Sequence, residues 1–113
     1  MVDNIYLVID LRPGTIGHIM FGQELGAMED IDPEEAWLQT RKTVRLPTHA
    51  LFAGAKLGFR YSIEGAPKAK VLFLQVVEVC YWPQQDETRV YVRPDGDTDL
   101  ILLEELLKHG WSL

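Results

Sequence analysis

The stretch from Lys70 to Trp82 constrains the fold more than any other. Both alternating sets of its side chains are largely apolar, with Leu72, Leu74, Val76 and Cys80 on one side and Val71, Phe73, Val77 and Val79 on the other. A strand with one wet face alternates apolar and polar residues, so this pattern predicts a strand covered on both faces, central in a sheet. The preceding segment does alternate. Leu57, Phe59, Tyr61 and Ile63 point to a core while Lys56, Gly58, Arg60 and Ser62 point to water. Downstream, the polar Pro83 to Glu87 connects to a β-branched and aromatic run from Thr88 to Arg93. Three such runs joined by short polar breaks predict an antiparallel meander.

The rest of the chain supplies partners for that meander. Ile5 to Ile9 predicts a first strand, and Arg12-Pro13-Gly14-Thr15 has the composition of a turn. A second strand is expected at about His18 to Leu25, where Gly17, Gly22 and Gly26 point to bulges or close backbone approach. Asp32-Pro33-Glu34-Glu35 has the chemistry of a helix start, predicting a helix over 33–43 anchored by Trp37. Thr48 to Ala55 is a short helical turn or a buried loop. Asp95-Gly96-Asp97-Thr98 then leads into a predicted helix over 98–109, with Leu100, Leu103, Leu106 and Leu107 as its apolar stripe. Gly110 stands where a left-handed cap belongs, and Trp111 is placed to pack back on the last turn. The expected architecture is α+β: about five mainly antiparallel strands, as an open sheet or partial barrel, with an N-proximal short helix and a C-terminal helix packed on the sheet. At 113 residues, a single domain is expected.

Composition narrows the chemistry. A hydrophobic share of 47% with 25% charged residues belongs to a globular chain. No uncharged run approaches the ~18 apolar residues of a membrane span, and Asp3 stands where a secretory leader would place lysine, so a cytoplasmic protein is expected. A lone Cys80 and the scattered His18, His49 and His109 lack the ligand pairs of a zinc site, so no metal or other cofactor is expected. Cys80 itself reads as a small core hydrophobe. Asp95, Asp97 and Asp99 evoke a calcium loop, but the position that needs a glutamate holds Leu106. Gly14 to Gly17 has no following Gly-Lys-Ser or Gly-Lys-Thr to make it a phosphate loop.

Charge is distributed unevenly. The net −6 comes from 17 acidic and 11 basic residues, and the basic ones concentrate between Arg41 and Lys70. Within that region, the spacing in Arg41-Lys42-Thr43-Val44-Arg45 resembles the paired arginines with which PilZ domains hold cyclic di-GMP. Ser62-Ile63-Glu64-Gly65 is similar to the end of that family's second motif. Arg60 departs from the pattern, standing where the motif has Asp or Asn.

The functional expectation is a non-catalytic interaction module, of the inhibitor, immunity or adaptor kind. It would dock a protein with an acidic surface through Arg41, Lys42 and Arg45 from the predicted helix and Lys56 and Arg60 from the strand after it. Membrane and nucleic acid are disfavoured as partners, the latter by net charge and by aromatics that alternate inward. A homo-oligomer is compatible with the same reading. The alternative is a small-molecule binder with a pocket between the sheet and the C-terminal helix, its mouth at the Gly-rich segment 14–26. An enzyme built on histidine and carboxylates ranks below both.

Overall fold

The computed structural model describes residues 2–21 and 39–113. In chain order the elements are β1 (Val2–Asp10), α1 (Ile16–Phe21), β2 (Gln39–Leu46), a single 3-10 turn at Thr48–Ala50, β3 (Lys56–Tyr61), β4 (Lys70–Trp82), β5 (Glu87–Pro94) and α2 (Leu103–Lys108). The strands form one five-stranded sheet in the order β2-β1-β5-β4-β3. The meander β3-β4-β5 is antiparallel, and β4 is interior to the sheet over its first half. The expectation of a mainly antiparallel sheet is corrected at the centre, where β1 runs parallel to β5 and makes the sheet mixed.

One face of the sheet carries the core. Ile5, Leu7 and Ile9 of β1, Leu72, Leu74 and Val76 of β4, and Val90 and Val92 of β5 are buried against Leu103, Leu106, Trp111 and Phe21. A bulge between Val76 and Glu78 inserts one residue into β4, so its side-chain parity reverses. Past it Cys80 shares the outer face with Arg89, and Val79 turns to the inner face opposite Val90. Cys80 is therefore half-buried on the outer surface instead of in the core.

Three helix and strand assignments are corrected. The segment from Ile16 to Phe21 is helical where a strand is expected; residues 22–25 of that strand lie outside the described residues. Thr15 explains the helix: its Oγ1 accepts from the His18 N–H and its carbonyl accepts from the Ile19 N–H, the hydrogen-bond pattern of an N-cap. Gln39–Leu46 is a strand, so the helix predicted over 33–43 does not extend past 38; its first part and Trp37 lie outside the described residues. Its pairing with β1, from Asp10↔Gln39 to Ile5↔Val44, overrides the local helix signal.

The C-terminal helix begins at Leu103 instead of 98 because residues 95–99 serve β4. Beyond the end of β5, the Val71 N–H donates to Asp99 Oδ2 and the Phe73 N–H to Thr98 Oγ1, while the Asp95 and Asp99 N–H groups donate to the Phe73 and Val71 carbonyls. Backbone groups of a strand must be paired, and these polar residues do so in place of a sixth strand. Leu100 is left exposed, outside the apolar stripe, which reduces to Leu103 and Leu106 with Ile101 buried beside them.

The C-terminal segment closes the curl. Ser112 bridges to Arg41 on β2, exchanging backbone hydrogen bonds of 2.8 Å each way. One residue earlier, the Trp111 indole N–H donates to the Tyr61 hydroxyl of β3 at 2.9 Å, and its ring meets Phe59 edge-on. Strands β2 and β3 are the two edges of the sheet, so two adjacent residues, Trp111 and Ser112, tie both edges together and hold it as a half-barrel.

Gly110 has φ +93, the left-handed cap expected of it, and the Trp111 N–H reaches back to the Leu106 carbonyl. A Cβ there would also lie 2.5 Å from Lys42 Nζ, which donates to the His109 carbonyl. Gly110→Val is accordingly expected to destabilise by roughly 1 kcal/mol or more through left-handed strain, with Lys42 displaced as well. Denaturation curves that superimpose on the wild type would refute this account of the cap.

Candidate functional site

The five cations singled out in the sequence lie on the two edge strands of the sheet. Arg41, Lys42 and Arg45 lie on β2 and not on a helix, while Lys56 and Arg60 lie on β3 at the opposite edge of the sheet. Lys42 Nζ donates to the carbonyl of His109, the residue that caps α2. Arg45 pairs with Asp3 at 2.6 Å, and Lys56 sits 3.0 Å from Asp97 and 3.6 Å from Asp95. The Asp97 hydrogen bond holds the Lys56 ammonium above its ordinary pKa. Arg41 and Arg60 are exposed and have no ion pair among the described residues. The segments that resemble PilZ motifs are on those same opposite edges, β2 and the turn after β3.

The histidines are also separate. His18 Nδ1 lies 3.1 Å from the Leu11 carbonyl, His109 stacks on Tyr61 and His49 is exposed on the 3-10 turn. Among the described residues, no group of three His, Cys, Asp or Glu is placed to hold a metal ion, and no helix is long and apolar enough to cross a membrane.

Two surfaces remain. The first is a cleft of about 500 Å³ at the C-terminal end of the parallel β1/β5 pair, lined by Val8, Tyr91, Val77 and Ile16 with Arg12 and Arg93 among its charged groups. The Gly-rich turn does border it, through Thr15 and Gly17, but it opens beside α1 and not under α2, where Leu103, Leu106 and Trp111 fill the space. At its rim Arg12 grips Asp10 through the guanidinium and the backbone N–H. Burial pushes the Asp10 carboxyl up, but the Arg12 bonds outweigh it and the net shift is downward. A depressed folded-state pKa stabilises above the unfolded value and is lost as pH falls through the folded one. Wild type is expected to lose more stability than Asp10→Asn between about pH 5 and pH 3, read by thermal melts at each pH. Parallel curves would show that the pair contributes nothing to the fold.

The second surface is the far half of β4. Strand β4 has 13 residues and β3 only 6, and their pairing ends at Lys56↔Gln75, with Val76 still bonded to Gly54 and Ala55. From Val77 to Trp82 the strand has β5 on one side and, among the described residues, no strand on the other. Alternation fixes which groups are free. Val76 turns its N–H and C=O to the β3 side, and the bulge then hands that side to Val79 and Tyr81, while Glu78, Cys80 and Trp82 turn theirs to β5.

This edge is apolar. Val77 is 52%, Tyr81 54% and Trp82 40% exposed, and Glu78 is the one charge between Val77 and Trp82. The side chains are fixed in place: Tyr81 donates to Asp86 Oδ1 at 2.8 Å across the turn, and the Arg89 guanidinium lies 4.7 Å from the Trp82 ring centre, held from its other side by Glu87. An open strand edge with exposed aliphatic and aromatic residues is a template for a further strand. The sequence contained a signal for it in the mismatch of strand lengths, since a partner of six to eight residues cannot cover a run from Lys70 to Trp82. Comparison with family models, curated proteins and solved structures gives no match.

Proposed function

We propose that the protein is a non-catalytic interaction module that docks a protein partner by adding one of the partner's strands to the open edge of β4. The single observation that carries this reading is the segment Val77 to Trp82, apolar, exposed and open on its β3 side among the described residues. Sheet edges are ordinarily blunted with lysine, proline or a covering element, and among the described residues this edge has none of these and carries Glu78 as its one charge. The reading replaces a basic docking face, because the five cations are divided between two edges and two of them are ion-paired. The experiment is capture from native extract with wild type, Val79→Pro and the double reversal Lys56→Glu with Arg60→Glu. A stoichiometric partner lost only with Val79→Pro supports the edge. One lost only with the double reversal returns the acidic-partner reading.

A second reading rests on the cleft. Its volume and its apolar walls, edged by Arg12 and Arg93 and by Asp10 and Glu78, suit a small molecule that carries polar groups of both signs. A small molecule that copurifies, and is displaced in Arg93→Ala, would favour it.

A further inference from the structure

Resting on the edge-docking reading, we propose that a second copy of this chain occupies the open edge of β4, the two copies pairing antiparallel about a two-fold axis at Cys80. The two five-stranded sheets then become one continuous sheet.

The register follows from which backbone groups are free. Val79 and Tyr81 present outward N–H and C=O groups, four in all. With the axis at Cys80, Val79 of each copy lies opposite Tyr81 of the other, and all four groups on each copy find partners. An axis at Val79 would place Tyr81 against Val77 at the bulge, and an axis at Tyr81 would place Val79 against Pro83, which has no N–H to give. Symmetry makes such an interface the same patch on both copies, and this segment is self-complementary in only one of the three registers.

Side chains agree with the register. On the inner face, exposed Val79 and Tyr81 of one copy would cover those of the other, an aromatic against β-branched pairing. On the outer face, Glu78 would stand opposite Trp82 of the second copy, whose ring carries the Arg89 guanidinium. The charged residue thus meets a cation and never its own like, which is the charge complementarity a two-fold contact needs. Cys80 would face Cys80. Directly opposed residues outside a hydrogen-bonded pair are ~4.5 Å apart at Cα, within the ~4.4–6.8 Å that a disulfide spans, so the only cysteine of the chain is a reporter for the axis. The contact is five residues long on each side, Glu78 to Trp82, which places the dimer among weak, concentration-dependent associations.

The test uses the full chain. Sedimentation across micromolar to millimolar concentrations, without oxidant, is expected to show a monomer and dimer in exchange. Under diamide, Cys80 is expected to cross-link roughly tenfold or more faster than a cysteine at the exposed Ser62, in Cys80→Ser with Ser62→Cys, because pairing raises its effective concentration. Val79→Pro removes an edge N–H that faces no strand among the described residues, a position where a strand tolerates proline, and should abolish both signals. Glu78→Lys should weaken the dimer several-fold with the fold intact, and serves if the proline variant does not fold. A chain that stays monomeric, a Cys80 no faster than the Ser62 control, or a dimer indifferent to both variants overturns the proposal. If the chain is monomeric yet Val79→Pro loses a captured partner, self-pairing fails and edge docking stands. If Cys80 cross-links as expected and extract yields no partner for any form, self-pairing stands and docking of a different protein fails.

Discussion

Trp111→Ala is expected to destabilise the protein by about 3–5 kcal/mol, the range for deleting a large buried aromatic side chain. Trp111 is almost fully buried and belongs to the main core cluster. Its loss opens a cavity between α2 and β3, strips the Tyr61 hydroxyl of its donor and removes the edge-on contact with Phe59. A larger consequence concerns the sheet. Trp111 holds β3 while the next residue holds β2, so the substitution loosens a segment that bonds to both edges. Trp111→Phe keeps most of the packing and loses the N–H, and should cost about 1–2 kcal/mol. Circular dichroism is the suitable probe, because tryptophan emission would change with the substitution itself. A loss below about 1 kcal/mol for Trp111→Ala would mean that the sheet holds its curl without the tail.

What could be read from the sequence was local in origin. The alternation of Lys56 to Ile63 reports one covered face, and Gly110 reports a left-handed cap, because each rests on the chemistry of a few adjacent residues. The parallel pairing of β1 with β5 joins residues more than eighty positions apart and leaves no local trace. Elsewhere a local signal was extended too far. Asp32-Pro33 has the chemistry of a helix start and lies outside the described residues, but Gln39 onward, which the expected helix included, has a strand partner in β1, and there tertiary pairing decides. Asp95, Thr98 and Asp99 look like the approach to a helix because their oxygens accept backbone hydrogens, and in the fold they do accept them: Thr98 and Asp99 from Phe73 and Val71 of a neighbouring strand, and Asp95 from the Asp97 N–H within the turn.

The candidate site shows the same limit. Alternation in Lys70 to Trp82 announces apolar residues on both faces, and coverage is the natural inference from it. A one-residue bulge reverses the parity at Val77, and the second half of the strand outruns β3, so the same residues become an exposed edge. Whether an apolar run is core or interface depends on the length of its neighbour, which the run does not encode. The elements that carry the basic residues were misplaced for the converse reason. Closeness in sequence from Arg41 to Arg60 suggested one patch, but the 3-10 turn and its flanking loops carry the chain from one edge of the sheet to the other.

Gly17→Ala should separate the two surfaces that compete as the functional site, and its sign is itself informative. Helix propensity alone favours alanine over glycine by ~1 kcal/mol, so an isolated α1 would gain stability. Packing opposes this. A Cβ on Gly17 would fall on the Asp10 carbonyl oxygen and within 2.9 Å of Ile9 Cγ2, and a backbone oxygen of β1 cannot rotate aside as a flexible side chain could. Helix α1 must move away from β1, drawing the fully buried Phe21 with it. The net expectation is a loss of roughly 1–3 kcal/mol, the cost of overpacking, with more if Phe21 leaves the core. A gain in stability would show that α1 does not rest on β1 as described. Thr15, Ile16 and Gly17 border the cleft, so the displacement should impair any small molecule bound there. Val77 and Glu78 of the edge also line the cleft, but the added methyl meets Asp10 and Ile9 and the pairing segment from Val79 to Tyr81 does not line the cleft, so Cys80 cross-linking in the folded fraction should keep its wild-type rate.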